Sequence, residues 1–202
     1  RYAEKKHTII LIGHKDHVEV QGTVGEAPER IIVLGSVEEV ASLKVEDENK
    51  IGYITQTTLS MDDTSEIIDV LKKRFPKIQG PAKDDICYAT QNRQNAVKAL
   101  SKEVELVLVV GAQNSSNSFR LLEVAKSTGV NARRIEYAAE LKVEWLEGVS
   151  EIGITAGASA PEDIVQGIVN RIREMSASSR ILDLEIVKED VTFALPAVLR
   201  TF

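Results

Sequence analysis

Residues 104–118 read VELVLVVGAQNSSNS. Five aliphatic residues, Leu106 to Val110, stop at Gly111, and five small polar side chains, Asn114 to Ser118, follow soon after. A run this short and β-branched reads as a strand. Because it does not alternate apolar with polar, both of its faces must be covered, as in a parallel sheet flanked by helices. The polar surplus at its carboxyl end then needs its own explanation.

Further short aliphatic runs repeat the pattern: HTIILIGH (7–14), RIIVLG (30–35), KIGYITQ (50–56), ARRIEYA (132–138) and SEIGITAG (150–157). Helical patterns lie between them. In MDDTSEIIDVLKKRF, Ile67, Ile68, Leu71 and Phe75 share one face, acids occupy the first turns and Lys72, Lys73 and Arg74 the last, as the helix dipole favours. Ser36 and Glu39 form a capping-box pattern. Gly129 reads as the C-cap of SFRLLEVAKSTG, and Pro161 as a first-turn residue ahead of Ile164, Ile168 and Ile172. Alternating strands and helices make the fold class α/β, with two small, mostly parallel, three- or four-stranded sheets flanked by helices. FPKIQGPAKDD (75–85) reads as a linker, which divides the chain into residues 1–82, residues 83–180 and an extended tail, 181–202.

The chain has 202 residues, 43% of them hydrophobic, enough to bury a core. Its 31 acidic and 25 basic residues give a net charge of −6, and no long basic run is present to track a phosphate backbone, which argues against nucleic acid. No apolar stretch reaches the roughly 20 residues of a membrane helix, and the N-terminus lacks a signal peptide's apolar core. The reading is soluble and cytoplasmic. RYAEKK resembles the last turn of a helix, so the sequence is expected to be a piece of a longer chain.

Ligands of open parallel sheets bind beyond the carboxyl ends of the strands. That rule selects GHKDHVE, TQTTLS, GAQNSSNS and AGASAPED. Hydroxyls, amides and the N–H groups of a helix N-terminus suit an anion. Ser115, Ser116, Asn117 and Ser159 could each be an ordinary helix cap, but one cap needs one side chain and NSSNS supplies several. His17 and Glu19 pair an anion-binding ring with a carboxylate able to move a proton; a solvated histidine beside a surface glutamate is the plainer alternative. With no cysteine nearby, His14 and His17 do not read as a zinc pair. Cys87, the single cysteine, is a small buried hydrophobe, a nucleophile, or one ligand of a larger site. The following helical pattern would favour its thiolate, and its polar collar, YATQNRQ, suits a functional position.

Through HVEVQGTVGE, TQTTLSMDDTSEIIDVLKKRFP, DDICYATQNRQNAV, VVGAQNSSNSFRL and TAGASAPEDIV, the sequence resembles the IspH (LytB) family of 4-hydroxy-3-methylbut-2-enyl diphosphate reductases. The resemblance implies three α/β domains in a trefoil, two of them here, around a [4Fe–4S] cluster held by three cysteines with one iron open to substrate. It implies reductive removal of an allylic hydroxyl to give isopentenyl and dimethylallyl diphosphates, the last step of the methylerythritol phosphate route, with electrons from ferredoxin or flavodoxin. Carried onto matching positions, Cys87 becomes one cluster ligand, Glu19 the proton donor and Thr57 a hydrogen-bonding partner near the hydroxyl. His17, Ser115, Ser116, Asn117 and Ser159 become diphosphate ligands. Two positions depart from the family pattern: Val18 stands where proline is usual, and Asp16 where glycine is common. One cysteine cannot hold the cluster, so the other two ligands are expected upstream of Arg1, and this piece alone is expected to be inactive. A non-catalytic diphosphate-binding module is the rival reading, and a phosphate-ester enzyme with Cys87 as nucleophile a weaker third.

Overall fold

The computed structural model describes residues 2–81, 85–176, 178–189, 191–196 and 199. Two three-stranded sheets, both wholly parallel, are flanked by helices. The first holds β1 (Thr8–Ile12), β2 (Ile31–Leu34) and β3 (Ile51–Thr55) in the order β2-β1-β3. The second holds β4 (Leu106–Val110), β5 (Asn131–Ile135) and β6 (Ile152–Ala156) in the order β5-β4-β6. The helices are α1 (Val18–Gly25), α2 (Val37–Ser42), α3 (Met61–Arg74), α4 (Tyr88–Leu100), α5 (Ser116–Ser127) and α6 (Glu162–Met175).

The aliphatic run that opened the sequence is the central strand of its sheet, and all five residues of β4 are fully buried. Successive side chains point to opposite faces. Val107 and Val109 therefore pack with Val97 of α4 and Leu121 and Val124 of α5, whereas Leu106, Leu108 and Val110 pack with Ile168 and Ile172 of α6. Each such side chain contributes roughly 1.5–3 kcal/mol of burial. The edge strand β5, NARRI, is covered only in part: Ala132 is buried on one face and Ile135 on the other, and Arg133 lays its guanidinium over the Trp145 ring at 5.0 Å. In the first sheet Ile10 and Ile12 of the central β1 join Ile67 and Leu71 of α3 and Phe75, its C-cap, the face expected from its spacing.

Val18–Gly25 is a helix, although two glycines and three valines make VEVQGTVG a poor helix former; His17 caps it and Val20 is buried. Three local expectations change. Part of the expected linker is tied to the first sheet, because Gln79 exchanges backbone hydrogen bonds with Ile51 and Tyr53 at the outer edge of β3. The capping box forms only in part: Ser36 makes no side-chain cap bond, and the Glu39 carboxylate accepts from the Gly35 N–H at 2.7 Å. That N–H first, and then Lys15, holds the Glu39 carboxyl below its ordinary range. Pro161 is the N-cap of α6 rather than a residue of its first turn. The expected boundary between residues 82 and 83 lies outside the described residues, as does the end of the tail. No helix among the described residues is long and apolar enough to cross a membrane.

Candidate functional site

Both sheets place their first strand in the middle, the second on one side and the third on the other. The chain therefore reverses direction between β1 and β3, and again between β4 and β6. At such a reversal the loops leaving the two neighbouring strands part to opposite faces and open a crevice at their carboxyl ends. All four candidate loops leave these strands, and none leaves the edge strands β2 and β5.

In the first crevice His17 is half-buried and caps α1, its Nδ1 accepting the Glu19 N–H at 3.2 Å. Glu19 lies in the first turn, where the dipole favours a carboxylate, and its Oε1 accepts the Thr57 N–H at 2.8 Å. The Thr57 carbonyl accepts the Cys87 N–H at 3.1 Å. One peptide segment thus carries both the carboxylate and the cysteine. Val18 is the first residue of α1 and 78% exposed. Proline fits that helical position because the N–H there has no intrahelical acceptor, so valine replaces it without disturbing a contact. Asp16 is exposed.

Cys87 is an exposed free thiol at the N-cap of α4, and its side chain makes no cap bond. The exposure excludes a structural role as a buried hydrophobe. Exposed at a helix N-terminus, its sulfur is accessible to a metal. Among the described residues no group of three or more His, Cys, Asp and Glu side chains is arranged to hold a metal ion. The donor set therefore fits one ligand of a cluster and not a complete site.

In the second crevice Ser115 caps α5. Its Oγ accepts from the Ser118 N–H at 3.2 Å and from the Ser118 hydroxyl at 3.0 Å, which leaves its own O–H to donate outward. The cap reading of this serine is therefore correct as far as it goes. The N–H groups of Ser116 and Asn117, the first two of the helix, have no intrahelical acceptor. Asn117 is the decisive residue. Both of its side-chain amide atoms are shielded from solvent, and neither has a hydrogen-bond partner among the described residues. Leaving such a group unmet costs about 1–3 kcal/mol, part of which a ligand that accepts from its N–H groups would recover. Ser159 is exposed in the turn closed by the Ala160 N–H on the Gly157 carbonyl at 3.0 Å.

The two crevices meet where His17 Nε2 and Ser116 Oγ lie 2.5 Å apart. Since Nδ1 accepts from Glu19, the neutral ring carries its proton on Nε2 and donates it to Ser116. The Ser116 hydroxyl is then free to donate in turn. His17, Glu19, Thr57 and Cys87 thus form one connected chain that reaches Ser116 at the head of α5, beside Ser115 and Asn117.

Several buried or half-buried glutamines shape the site by holding backbone. Gln56 is buried; its carbonyl oxygen accepts the His14 N–H at 3.1 Å and its amide donates to Thr58 at 3.2 Å. Gln94 is buried on α4, donating to the Leu59 carbonyl at 2.7 Å and accepting the Met61 N–H at 3.1 Å. Gln91 donates to the Ile86 carbonyl at 2.7 Å. Part of the polar collar after Cys87 is therefore scaffold that holds the loop after β3. Gln94→Leu is expected to lower unfolding stability by about 2–3 kcal/mol, read from the denaturant midpoint, because two backbone groups lose their partners. Gly111 and Gly157 flank the buried Ser118: a Cβ on either would stand 2.0 or 2.2 Å from its hydroxyl oxygen. These glycines let α5 begin close against the ends of β4 and β6.

A family model described as LytB protein matches residues 1–173. Over 202 residues the chain is 48% identical to a 4-hydroxy-3-methylbut-2-enyl diphosphate reductase of Nocardia farcinica, covering all of this chain and 60% of that protein. Over 200 residues it is 52% identical to one of Acidithiobacillus ferrooxidans, covering 98% of this chain and 63% of that protein. The chain thus spans about three fifths of the length of these curated relatives. Among solved structures, the E-1-hydroxy-2-methyl-but-2-enyl-4-diphosphate reductase of Plasmodium falciparum superposes with a TM-score of 0.80 at 40% identity, over 85% of this chain and 54% of that one.

Proposed function

We propose, given that this chain belongs to the LytB family, that it is the part of a 4-hydroxy-3-methylbut-2-enyl diphosphate reductase that binds the diphosphate and delivers the proton. The observation that carries this reading is Asn117, a shielded amide with no partner among the described residues, at the head of a helix whose first N–H groups have no intrahelical acceptor. A diphosphate has oxygens for Ser115, Ser116, the Asn117 amide N–H and the backbone N–H groups; Ser159, in the neighbouring turn, adds another hydroxyl. His17 aligns Ser116 by donating to its oxygen, and so turns the serine proton toward the ligand.

At the other end of the chain of contacts, Glu19 holds the proton that the allylic hydroxyl takes as it leaves. Two electrons and two protons convert the alcohol to the alkene and water. Thr57 keeps Glu19 in place through its N–H, and its side chain bonds near the departing oxygen. Cys87 would be one of three thiolates holding a [4Fe–4S] cluster, the other two lying outside these 202 residues. When bound, that group supplies the electrons and a Lewis-acidic iron. A small electron carrier, ferredoxin or flavodoxin, would recharge it, and the whole would work in the cytoplasm.

We further assign residues 1–82 and 83–180 to two α/β units, each built around one of the two sheets, and the tail 181–202 to a docking role on chain outside this sequence. Leu182, Leu184 and Ile186, which alternate with Asp183 and Glu185, are all exposed, a pattern suited to pairing as a strand. Iron and sulfide reconstituted on the 202 residues alone are expected to give none of the broad visible absorbance of thiolate-bound clusters. The full-length protein is expected to show it, and one cluster per monomer of the short chain would contradict the ligand assignment.

A further inference from the structure

Arg120 stands four residues after Ser116 on α5, so the two side chains share one face of the helix. Ser116 meets His17; one turn further on, Arg120 Nη2 lies 3.1 Å from His14 Nε2. Two contacts, one helical turn apart, therefore tie α5 to the loop that leads into α1. A guanidinium has donors only, so His14 Nε2 accepts and the neutral ring carries its proton on Nδ1. The Arg120 side chain is 14% exposed, far less than a solvated surface arginine. Its Nη1 is 2.8 Å from Glu123 on the same helix and 3.9 Å from Asp63 on α3. Around it, Gly13, His14, Ser60 and Asp63 line a cavity of about 40 Å³ at the carboxyl end of the first sheet. With its charge met by two carboxylates, this arginine serves by its direction more than by its field.

From this geometry we infer that Arg120 is a positioning residue for the diphosphate pocket, acting through His14. Leu121 and Val124 hold α5 on its own sheet, but a single contact between His17 and Ser116 would let the loop that leads into α1 pivot against the helix. The second contact fixes that loop, and with it the direction from which His17 aligns the Ser116 hydroxyl. Without it, part of the binding energy goes into ordering this junction, and affinity falls. This inference rests on the diphosphate reading of the site and adds a residue that does not touch the ligand.

The test is titration calorimetry of the full-length protein with inorganic pyrophosphate. Arg120→Gln and His14→Ala are each expected to weaken binding about 10-fold, and the double variant no more than either alone, because both remove the same contact. Arg120→Lys, which keeps the charge but loses the planar fork, is expected to behave like Arg120→Gln. In turnover the loss falls on KM, with kcat lowered by less than about threefold. If the Arg120 variants do not fold, His14→Ala removes the contact from the other side. Wild-type affinity in Arg120→Gln, full rescue by Arg120→Lys, or multiplicative losses in the double variant would overturn the inference while leaving the diphosphate reading intact. Failure of the wild-type protein to bind pyrophosphate would overturn both.

Discussion

Glu19→Gln lowers turnover of the full-length protein by about 10²-fold or more while substrate affinity holds. The expectation follows from what the substitution keeps. Glu19 Oε1 accepts the Thr57 N–H at 2.8 Å, and the carbonyl oxygen of a glutamine can accept the same bond. The side chain therefore stays where it is, and the loop after β3 stays with it. What disappears is the transferable proton, whose effect is felt as the hydroxyl leaves and not when the substrate binds. Glu19→Ala differs because it also frees Thr57, so affinity and turnover fall together. A Glu19→Gln variant with undiminished turnover, or one whose defect lies wholly in KM, would remove Glu19 from the proton path.

Asn117→Ala has the opposite profile. Its amide is shielded and has no partner among the described residues, so the ligand-free protein has little to lose when it is removed. Thermal stability is expected to hold or rise slightly. Diphosphate affinity is expected to fall by roughly 10- to 100-fold, the equivalent of about 1–3 kcal/mol for bonds the ligand can no longer make. Calorimetry and thermal unfolding on the same preparation separate the two effects. A variant that loses stability but keeps affinity would mean that the amide serves the fold.

The central strands were legible because burial on both faces leaves only aliphatic residues: TIILI and LVLVV permit little else between two helical layers. The loops were legible for a related reason. A strand that ends in NSSN or TQTT offers more donors than its own caps consume. By contrast, α1 was hidden by its glycines and valines, since what holds it is the His17 cap and the burial of Val20. The meeting of the two crevices was equally hidden. His17 and Ser116 are 99 residues apart in the chain, and Arg120 and His14 are 106 apart; no local pattern encodes such pairs. Gln94 shows the reverse error: its polarity beside Cys87 suggested chemistry, whereas its amide holds the backbone of the neighbouring loop.

The two departures from the family pattern lie on the surface. Val18 occupies the first turn of α1 and faces water, so the change from proline alters the rigidity of the turn and not the site. Asp16 is exposed on the same loop. A carboxylate there is screened by solvent and would add little repulsion to the diphosphate proposed for the head of α5.

The most direct test supplies 4-hydroxy-3-methylbut-2-enyl diphosphate to the full-length, iron-loaded protein under anaerobic conditions with a chemical reductant and follows the products by chromatography. Conversion to isopentenyl and dimethylallyl diphosphates, abolished by Cys87→Ala, is the predicted result. Tight binding of the diphosphate with no conversion would contradict it and leave the chain as part of a binding protein.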